Sequence, residues 1–193
     1  MKIKIEDLQG VEIVGGQIVT RLIAADGEAG HDIGTIVAKT IKDGYVSPDD
    51  VVWNRYKTEP DPRRITKEGD IIIKLVQPFS ACIIGKEEEG LLVSSFCAII
   101  RNINDESVTR EYLLAYLNSA QGIAQVTSKM GGSTIQTISM KGIRTIQLPK
   151  PTLGIQSEIA SAFAEKTKMA KLMSRMAKLQ EEKLNAMISE VEE

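Results

Sequence analysis

The segment of this sequence best suited to hold an anion is a glycine-rich loop that begins after a lysine. Two adjacent glycines remove the side chains that would block approach to backbone N–H groups, and hydroxyl and amide side chains add hydrogen bonds. In the phosphate-binding loop of nucleotide hydrolases a lysine follows the glycines, whereas here it precedes them. The pattern predicts either contact with a nucleic-acid backbone or a tight turn that packs the next strand. The residues concerned are Lys129, Gly131, Gly132, Ser133, Thr134 and Gln136.

Four arginines outside this loop have the chemistry to contact nucleic acid. A guanidinium group can donate two parallel hydrogen bonds to a guanine edge or to a phosphate. For each arginine the alternative is an ordinary solvated surface charge. They are Arg101, which ends an apolar run, Arg144, within a predicted final strand over 143–148, and Arg63 and Arg64, in the polar segment 57–64.

Residue types that could carry out catalysis or stack on bases are scarce. Aromatic residues make up 4% of the chain, which disfavours a single-strand binding surface, and Trp53 and Tyr56 are predicted to lie in the core or at its rim. His31 is the single histidine, has no nucleophile motif beside it, and is predicted to be an exposed loop residue. Cys82 and Cys97 fall in apolar runs typical of buried thiols rather than of a zinc site. We therefore predict a non-catalytic chain without a metal or a cofactor.

The net charge of the chain is slightly negative, with 24 Lys and Arg residues against 26 Asp and Glu residues. Proteins that bind DNA by releasing counterions are usually basic, so DNA binding here requires basic groups on one face or a partner that supplies phosphate contacts. No window approaches the roughly 18 to 20 apolar residues of a membrane span, and the first residues lack the apolar core of a signal peptide. The expected compartment is the cytoplasm.

Short β-type runs separated by Gly, Pro, Asn and Asp turns extend from Glu12 to about Ile100. This pattern predicts a curled or barrel-like, largely antiparallel sheet. Two polar segments, 24–34 and 57–64, are too long for hairpin turns, and loops of this kind often carry binding residues. The predicted strands are 11–14, 35–39, 51–56, 70–76, 81–84, 91–93 and 96–100.

Helical periodicity appears after residue 105. Tyr112, Leu113, Tyr116 and Leu117 fall on one face of a predicted short helix that Asp105 or Ser107 can cap, and a second short helix is predicted over 121–130. After Pro149-Lys-Pro151, no proline or glycine interrupts the segment from Ser157 to Glu193, which predicts one long helix.

The long helix carries an apolar stripe that needs a partner surface, because a small domain cannot cover it along its whole length. Gln180 interrupts the stripe, which is widened by Leu172, Leu179 and Met187. Its main residues are Ile159, Phe163, Met169, Met173, Met176, Leu184, Ile188 and Val191.

The segments Lys129–Ser139 and Ile143–Gln156 together resemble the end of a target recognition domain from a Type I restriction-modification DNA specificity subunit. In that family a Gly-Ser/Thr-x-Ile loop, a short strand closing on Pro-x-Pro and a glutamine opening a spacer helix occur in this order. Residues 8–16, 65–73 and 112–119 resemble its opening strand, its central Gly-Asp strand and its short helix. Full-length members carry two recognition domains and two spacer helices, whereas this sequence has one of each and so resembles half a subunit.

The resemblance implies an α+β recognition domain over 1–152 and a spacer helix over 153–193. It further implies a subunit that binds double-stranded DNA and directs a methyltransferase subunit carrying adenosylmethionine, with or without a restriction subunit that uses ATP. The apolar stripe predicts a homodimer formed through the C-terminal helices. The rival hypothesis is a non-DNA adaptor that oligomerises through the same helix, which the acidic charge would allow. An enzyme of unrecognised type is the weaker rival, because no catalytic constellation is evident.

Overall fold

Two β-sheets and a layer of short helices form the body of the protein, and one long helix leads from them to the C-terminus. The computed structural model describes residues 1–25, 27–130 and 137–192, with the side chains of the long helix described up to Glu190. The fold is mixed α+β with mainly antiparallel strand pairs, which confirms the predicted class. Among the described residues, no helix is both long enough and apolar enough to cross a membrane.

The helices are α1 (Arg110–Leu117), α2 (Ala120–Ser128), α3 (Met140–Arg144) and α4 (Leu153–Glu192). The strands are β1 (Lys2–Lys4), β2 (Glu12–Gly15), β3 (His31–Ile36), β4 (Ile41–Lys42), β5 (Tyr45–Val46), β6 (Val52–Tyr56), β7 (Ile71–Lys74), β8 (Ala81–Ile83), β9 (Leu92–Val93), β10 (Cys97–Arg101) and β11 (Gln147–Pro149).

The larger sheet is antiparallel in the order β2-β10-β7-β8, and both of its faces are buried. Successive side chains of a strand point to opposite faces, so Ile71 and Ile73 enter a core shared with the helices while Ile72 enters a second core. All three isoleucines are at most 2% exposed. This two-sided burial explains why β7 is a continuous apolar run rather than an alternating one.

The smaller sheet has the order β6-β3-β9 and covers the second core. β3 pairs with β6 in antiparallel register and with β9 in parallel register. Two further pairs complete the body: the β4–β5 hairpin, and β1 with β11. Because β1 pairs with β11, the first strand closes the body beside the point where α4 begins.

All seven predicted strands are present with shifted ends, and β1, β4 and β5 were not predicted. The predicted strand over 143–148 is wrong in its first half, where α3 ends at Arg144 before β11 begins. The Ser139 side chain accepts a hydrogen bond from the N–H of Gly142 and so starts a helical turn there. The prediction of a loop at His31 is also wrong, since this residue pairs with Tyr56 as the first residue of β3.

The two predicted short helices are confirmed as α1 and α2. Thr109, rather than Asp105 or Ser107, caps α1 by accepting a hydrogen bond from the N–H of Tyr112. Ser119 caps α2 in the same way.

The long helix α4 begins at Leu153, four residues before the predicted start, and its first turn is fixed by a buried glutamine. The Gln156 side chain accepts a hydrogen bond from the N–H of Thr109 and donates to the carbonyl oxygens of Ser107 and Pro151. Gln156 is completely buried, so these bonds replace all its contact with water. They join the start of α4 to the start of α1.

Polar and aromatic contacts then hold α4 along the body as far as Lys178. Phe163 packs against the helical core, and the Thr167 hydroxyl donates to the Asp43 carbonyl oxygen. The Lys171 ammonium lies 5.1 Å from the ring centre of Tyr45, and Lys178 pairs with Asp49 at 2.8 Å. The body therefore holds roughly the first two-thirds of the helix.

Candidate nucleic-acid interface

The described ends of the glycine-rich loop lie beside α3. Met130 bridges Ile138, and Thr137 bridges Val76, so the residues on either side of positions 131–136 lie next to each other. The predicted contact residues Gly131, Gly132, Ser133, Thr134 and Gln136 lie outside the described residues.

Three basic residues are grouped at this position. A Cβ on Gly142 of α3 would lie 3.5 Å from the Cβ of Lys129, which brings the start of the loop against the helix. Lys141 and Arg144 are exposed on α3 itself. We call Lys129, Lys141 and Arg144 the α3 basic cluster. Arg144 is exposed, and it lies at the end of a helix and not in the predicted strand.

Lys141 was not among the predicted contacts. The N-cap residue Ser139 is the signal that could have found it, because such a residue predicts a helix over the following Met-Lys-Gly-Ile-Arg segment. In a helix, the lysine and the arginine of this segment are three residues apart and lie on the same face.

Arg63 and Arg64 lie in a short 3-10 turn, Pro62–Arg64, that Asp61 caps. The Arg63 guanidinium donates from Nε and Nη2 to the two Asp61 oxygens, at 3.2 and 2.8 Å. These bonds, together with the Arg63 backbone N–H, hold the pKa of Asp61 at about 2. Arg64 pairs with the same carboxylate through Nε, at 3.5 Å, and donates from Nη1 to the carbonyl oxygen of Gly16, at 2.9 Å.

Strand β2 connects the 3-10 turn with the α3 basic cluster. A Cβ on Gly15, the last residue of β2, would lie 3.6 Å from the sulfur of Met140 in α3. Gly16 follows directly and accepts the hydrogen bond from Arg64. The edge strand β2 therefore contacts α3 through Gly15 and the 3-10 turn through the residue that follows it.

Arg101 lies in the core of the protein, which corrects its predicted place among the nucleic-acid contacts. Its side chain is 5% exposed, and Nη2 donates to Asp70 at 2.6 Å and to the Ile65 carbonyl oxygen at 3.0 Å. Burial raises the pKa of Asp70, while the N–H of Lys67 and the charge of Arg101 act in the opposite direction. An arginine engaged in this way joins β10 to the start of β7 and does not face a ligand.

The β3–β6 ladder carries a second exposed arginine–carboxylate pair that the sequence analysis missed. Arg55 donates from Nε to one Asp32 oxygen at 3.0 Å and from Nη2 to the other at 2.7 Å. Trp53, opposite Gly34 in the same ladder, is 67% exposed, so its predicted place in the core or at its rim is wrong. Tyr56 is buried and hydrogen-bonded to Thr35, as a core residue should be.

The apolar stripe of α4 is exposed along most of its length. Met169, Met173, Met176, Leu184 and Ile188 are half exposed or more, whereas Phe163 packs against the body. The Val191 side chain lies outside the described part. At roughly 100° per residue, the contacts of Gln156, Phe163, Thr167, Lys171 and Lys178 fall on one side of the helix. The stripe residues Met169, Met173 and Met176 fall on the opposite side.

Cys82 and Cys97 are free and buried, and burial raises the pKa of the Cys97 thiol to about 12. Within residues 1–25, 27–130 and 137–192, no three His, Cys, Asp or Glu side chains are grouped so that they could hold a metal ion.

Residues 35–181 match the family model described as the Type I restriction modification DNA specificity domain. Three solved structures share the fold over more than nine-tenths of the chain. The first is a chain from work on complex assembly and conformational transition of the type I R-M system, with 15% identity, a TM-score of 0.59, and 91% of this chain and 40% of that chain covered.

The second is the HsdS subunit from Thermoanaerobacter tengcongensis, with 15% identity, a TM-score of 0.56, and 91% of this chain and 39% of that chain covered. The third is the S subunit of a Type-I restriction-modification system from M. genitalium, with 16% identity, a TM-score of 0.56, and 94% and 44% covered. The chain thus spans about two-fifths of the length of these structures. No curated protein matches the sequence.

Proposed function

The chain belongs to the Type I restriction modification DNA specificity domain family, and from this premise we propose that it is the DNA-recognition part of such a system. Residues 1–152 act as the recognition domain and residues 153–193 as the spacer helix. The domain binds duplex DNA and positions a partner adenine methyltransferase subunit, with or without a restriction subunit. The chemistry takes place in the partner, and this chain provides base readout and spacing.

The observation that carries the proposal is the gathering of basic groups on and beside α3. The chain has a net charge of −2, so an even distribution of charge would not attract DNA. Lys129, Lys141 and Arg144 are nevertheless grouped on and beside α3, whereas Asp61 offsets part of the charge of Arg63 and Arg64 in the 3-10 turn. This local concentration supports phosphate contact despite the overall acidity.

The test is the salt dependence of duplex binding, followed by fluorescence anisotropy of a labelled duplex. Wild-type affinity should fall steeply as salt rises, because each phosphate contact releases counterions. The Lys129→Ala/Lys141→Ala variant should bind every duplex more weakly and lower the slope of log affinity against log salt by about 2. Lys86→Ala is the control, since this exposed lysine lies in a turn whose Glu87 and Glu88 line a groove against α4.

An affinity that does not depend on salt, or an equal loss in the Lys86 variant, would favour the adaptor hypothesis. The isolated chain should bind weakly and gain site preference when its methyltransferase partner is added, because the partner would supply further phosphate contacts and flip the target base out of the duplex. Tight, site-specific binding by the isolated chain at physiological salt would contradict this part of the proposal.

We further propose that the spacer helix pairs with α4 of a second copy in antiparallel orientation. The body occupies one side of the helix, so the opposite apolar side is open to a partner. In an antiparallel pair of identical helices, facing residue numbers add to a constant. A sum of 360 aligns the apolar residues, because Met173 then faces Met187, Met176 faces Leu184, and Leu172 faces Ile188.

The same register places Gln180 opposite its own copy, on the two-fold axis. The side-chain amide has both donors and acceptors, so two glutamines can bond to each other inside an apolar seam. This pairing accounts for the interruption of the stripe at Gln180 and favours one register over its neighbours. The two recognition domains would then lie at opposite ends of the pair, and the preferred target would be an inverted repeat with a non-contacted spacer.

Cysteine crosslinking tests the orientation and the register together. Gln180→Cys should form a disulfide-linked dimer, because the two sulfurs would meet on the axis. Met173→Cys should not crosslink to itself, because an antiparallel pair separates the two copies of residue 173 by about 21 Å along the helix. The native cysteines are buried and should not interfere. A parallel pair would crosslink at both positions, and a monomer at neither.

Packing in the seam can be tested separately by light scattering. Met173→Lys/Met176→Lys would place charges in the seam and should give monomers whose recognition domain stays folded. If the double variant remains dimeric, or if the wild type is monomeric at tens of micromolar concentration, the helix must instead dock on the methyltransferase subunit.

A further inference from the structure

We propose that Arg55, held by Asp32 in the solvent-exposed part of the β3–β6 ladder, reads a guanine edge in the major groove of bound duplex DNA. Asp32 is its positioning residue. The inference rests on the DNA binding proposed above and adds to it a residue that decides which sequence is preferred.

The geometry of the pair leaves the reading edge of Arg55 free. A guanidinium group has five N–H donors arranged around a plane. The bonds from Nε and Nη2 to Asp32 occupy the side edge of that plane. The end edge, formed by Nη1 and the second hydrogen of Nη2, is not engaged by any residue in the described part of the chain. That end edge matches the paired N7 and O6 acceptors of guanine.

The charge of the pair favours a base edge over a phosphate. Asp32 neutralises Arg55 locally, and the same bonds hold the pKa of the carboxyl below its ordinary range. A phosphate contact gains from net positive charge and counterion release, which a neutralised arginine cannot provide. A guanine contact depends instead on two directed hydrogen bonds, which the pair retains. The ion pair therefore weakens the non-specific attraction of Arg55 to phosphate and keeps its directed hydrogen bonding to a base.

The surroundings fix the direction in which Arg55 points. The carbonyl oxygen of Arg55 accepts a hydrogen bond from the N–H of Ala24, at 2.8 Å, so its strand is held on both edges. Gly30 packs under the stem of Arg55, where a Cβ would lie only 2.9 Å from Cγ. Ordering the arginine in advance reduces the entropy lost when it binds.

The exposed indole of Trp53 supports the assignment of this face to a ligand. Cross-strand neighbours share a face, so Trp53 and Arg55 lie on the same side of the ladder as Asp32 and Gly34. A tryptophan that is 67% exposed leaves a large apolar surface in water. A ligand that covers the indole removes that surface and excludes water beside the arginine fork.

The first experiment selects preferred duplexes from a pool of random sequences with the complex of the methyltransferase partner and the purified chain or one of its variants. Wild type should enrich a guanine at one position that Arg55→Lys no longer selects, with a loss of discrimination of about 5- to 150-fold. Lysine keeps the charge but lacks the fork, so affinity for unrelated duplexes and the salt slope should not change. Arg110→Lys, which alters an exposed arginine on α1, is the matched control and should select the wild-type sequence.

The Asp32→Asn variant separates a role in DNA recognition from a purely structural role of the ion pair, because it should change both duplex affinity and discrimination at the guanine. Removing the carboxylate leaves Arg55 with its full positive charge and without its positioning partner. Affinity for unrelated duplexes should therefore rise while discrimination at the guanine falls. If Asp32 and Arg55 only stabilise the ladder, neither variant should change the selected sequence, and that result would overturn the inference.

Trp53 provides an independent readout, because it is the single tryptophan of the chain. Its emission should be quenched or shifted when the selected duplex is added, and circular dichroism of each variant checks that the fold is kept. Unchanged emission, together with unchanged selection by Arg55→Lys, would reject the role of Arg55 while leaving DNA binding intact. If wild type retains no duplex at low salt, the proposed function fails first and this inference fails with it.

Discussion

Two arginine–aspartate pairs in this protein have the same chemistry and opposite surroundings. Arg101 and Asp70 are 5% and 3% exposed, and they join two strands of the larger sheet. Arg55 and Asp32 are 55% and 61% exposed, and they lie opposite each other in the smaller sheet. A guanidinium group in the core has its direction and partners fixed by the fold, whereas the exposed group can still bind a ligand.

Position within each sheet explains the difference. β10 lies between β2 and β7 and has a core on each face, so even its last residue is covered. β6 lies at an edge of the smaller sheet, and its side chains Trp53 and Arg55 are exposed to solvent. A strand-end arginine in the sequence is therefore not by itself a binding residue.

The largest expected effect comes from breaking the buried pair. Asp70→Asn should lower the free energy of unfolding by about 3–5 kcal/mol, because it leaves the Arg101 charge buried without a counter-charge. Asparagine retains an acceptor for the N–H of Lys67. The lost free energy of unfolding therefore reports the missing charge of Asp70 and not the loss of this hydrogen bond. Urea denaturation measures it, and a loss similar to that of an exposed substitution would show that Arg101 escapes to solvent.

Thiol labelling should show the same contrast without denaturant. Cys97 lies in the strand that Arg101 ends, and burial raises its thiol pKa to about 12, so a thiol reagent should react only after the strand opens. Labelling of Asp70→Asn should be about 100- to 4,000-fold faster than that of wild type, whereas Asp32→Asn should label at the wild-type rate. Equal acceleration in both variants would contradict the difference between the pairs.

Removing both buried charges should restore much of the stability. The Asp70→Asn/Arg101→Met variant should unfold within about 2 kcal/mol of wild type, because an apolar side chain in this site needs no counter-charge. Arg101 Nε is buried with no hydrogen-bond partner among the described residues, so the native pair is incompletely satisfied. A double variant as unstable as Asp70→Asn alone would indicate that the Arg101 bond to Ile65 is the more important contact.

The smallest effect is expected in the pH dependence of the exposed pair. Arg55 holds the pKa of Asp32 below its ordinary value, so the pair stabilises the folded state above about pH 4 and loses that contribution as the pH falls through the lowered pKa. Wild type should therefore lose slightly more stability than Asp32→Asn between about pH 6 and about pH 3. Solvent screening keeps this difference near the detection limit of urea midpoints. A clear difference would mean that the pair is structural.

Local patterns predicted the parts of the fold that depend on local physics. Apolar runs and turn residues located seven strands, and the absence of proline and glycine after Gly154 indicated the long helix. The helical turn of α3 was missed because a five-residue helix shows too little periodicity, and β4 and β5 are only two residues each. Such elements exist because distant segments pack on them.

The candidate site, like the fold, has some features that follow from the local sequence and others that do not. The sequence by itself determined that the chain carries a glycine-rich loop after Lys129, scattered arginines, and an apolar stripe on its last helix, because residue types and helical spacing are local properties. Only the tertiary structure decided that Arg101 is buried, that Arg55 is paired with Asp32, and that the body covers the side of α4 opposite the stripe. Burial and cross-strand register depend on segments far apart in the chain, and no local pattern encodes which of them meet.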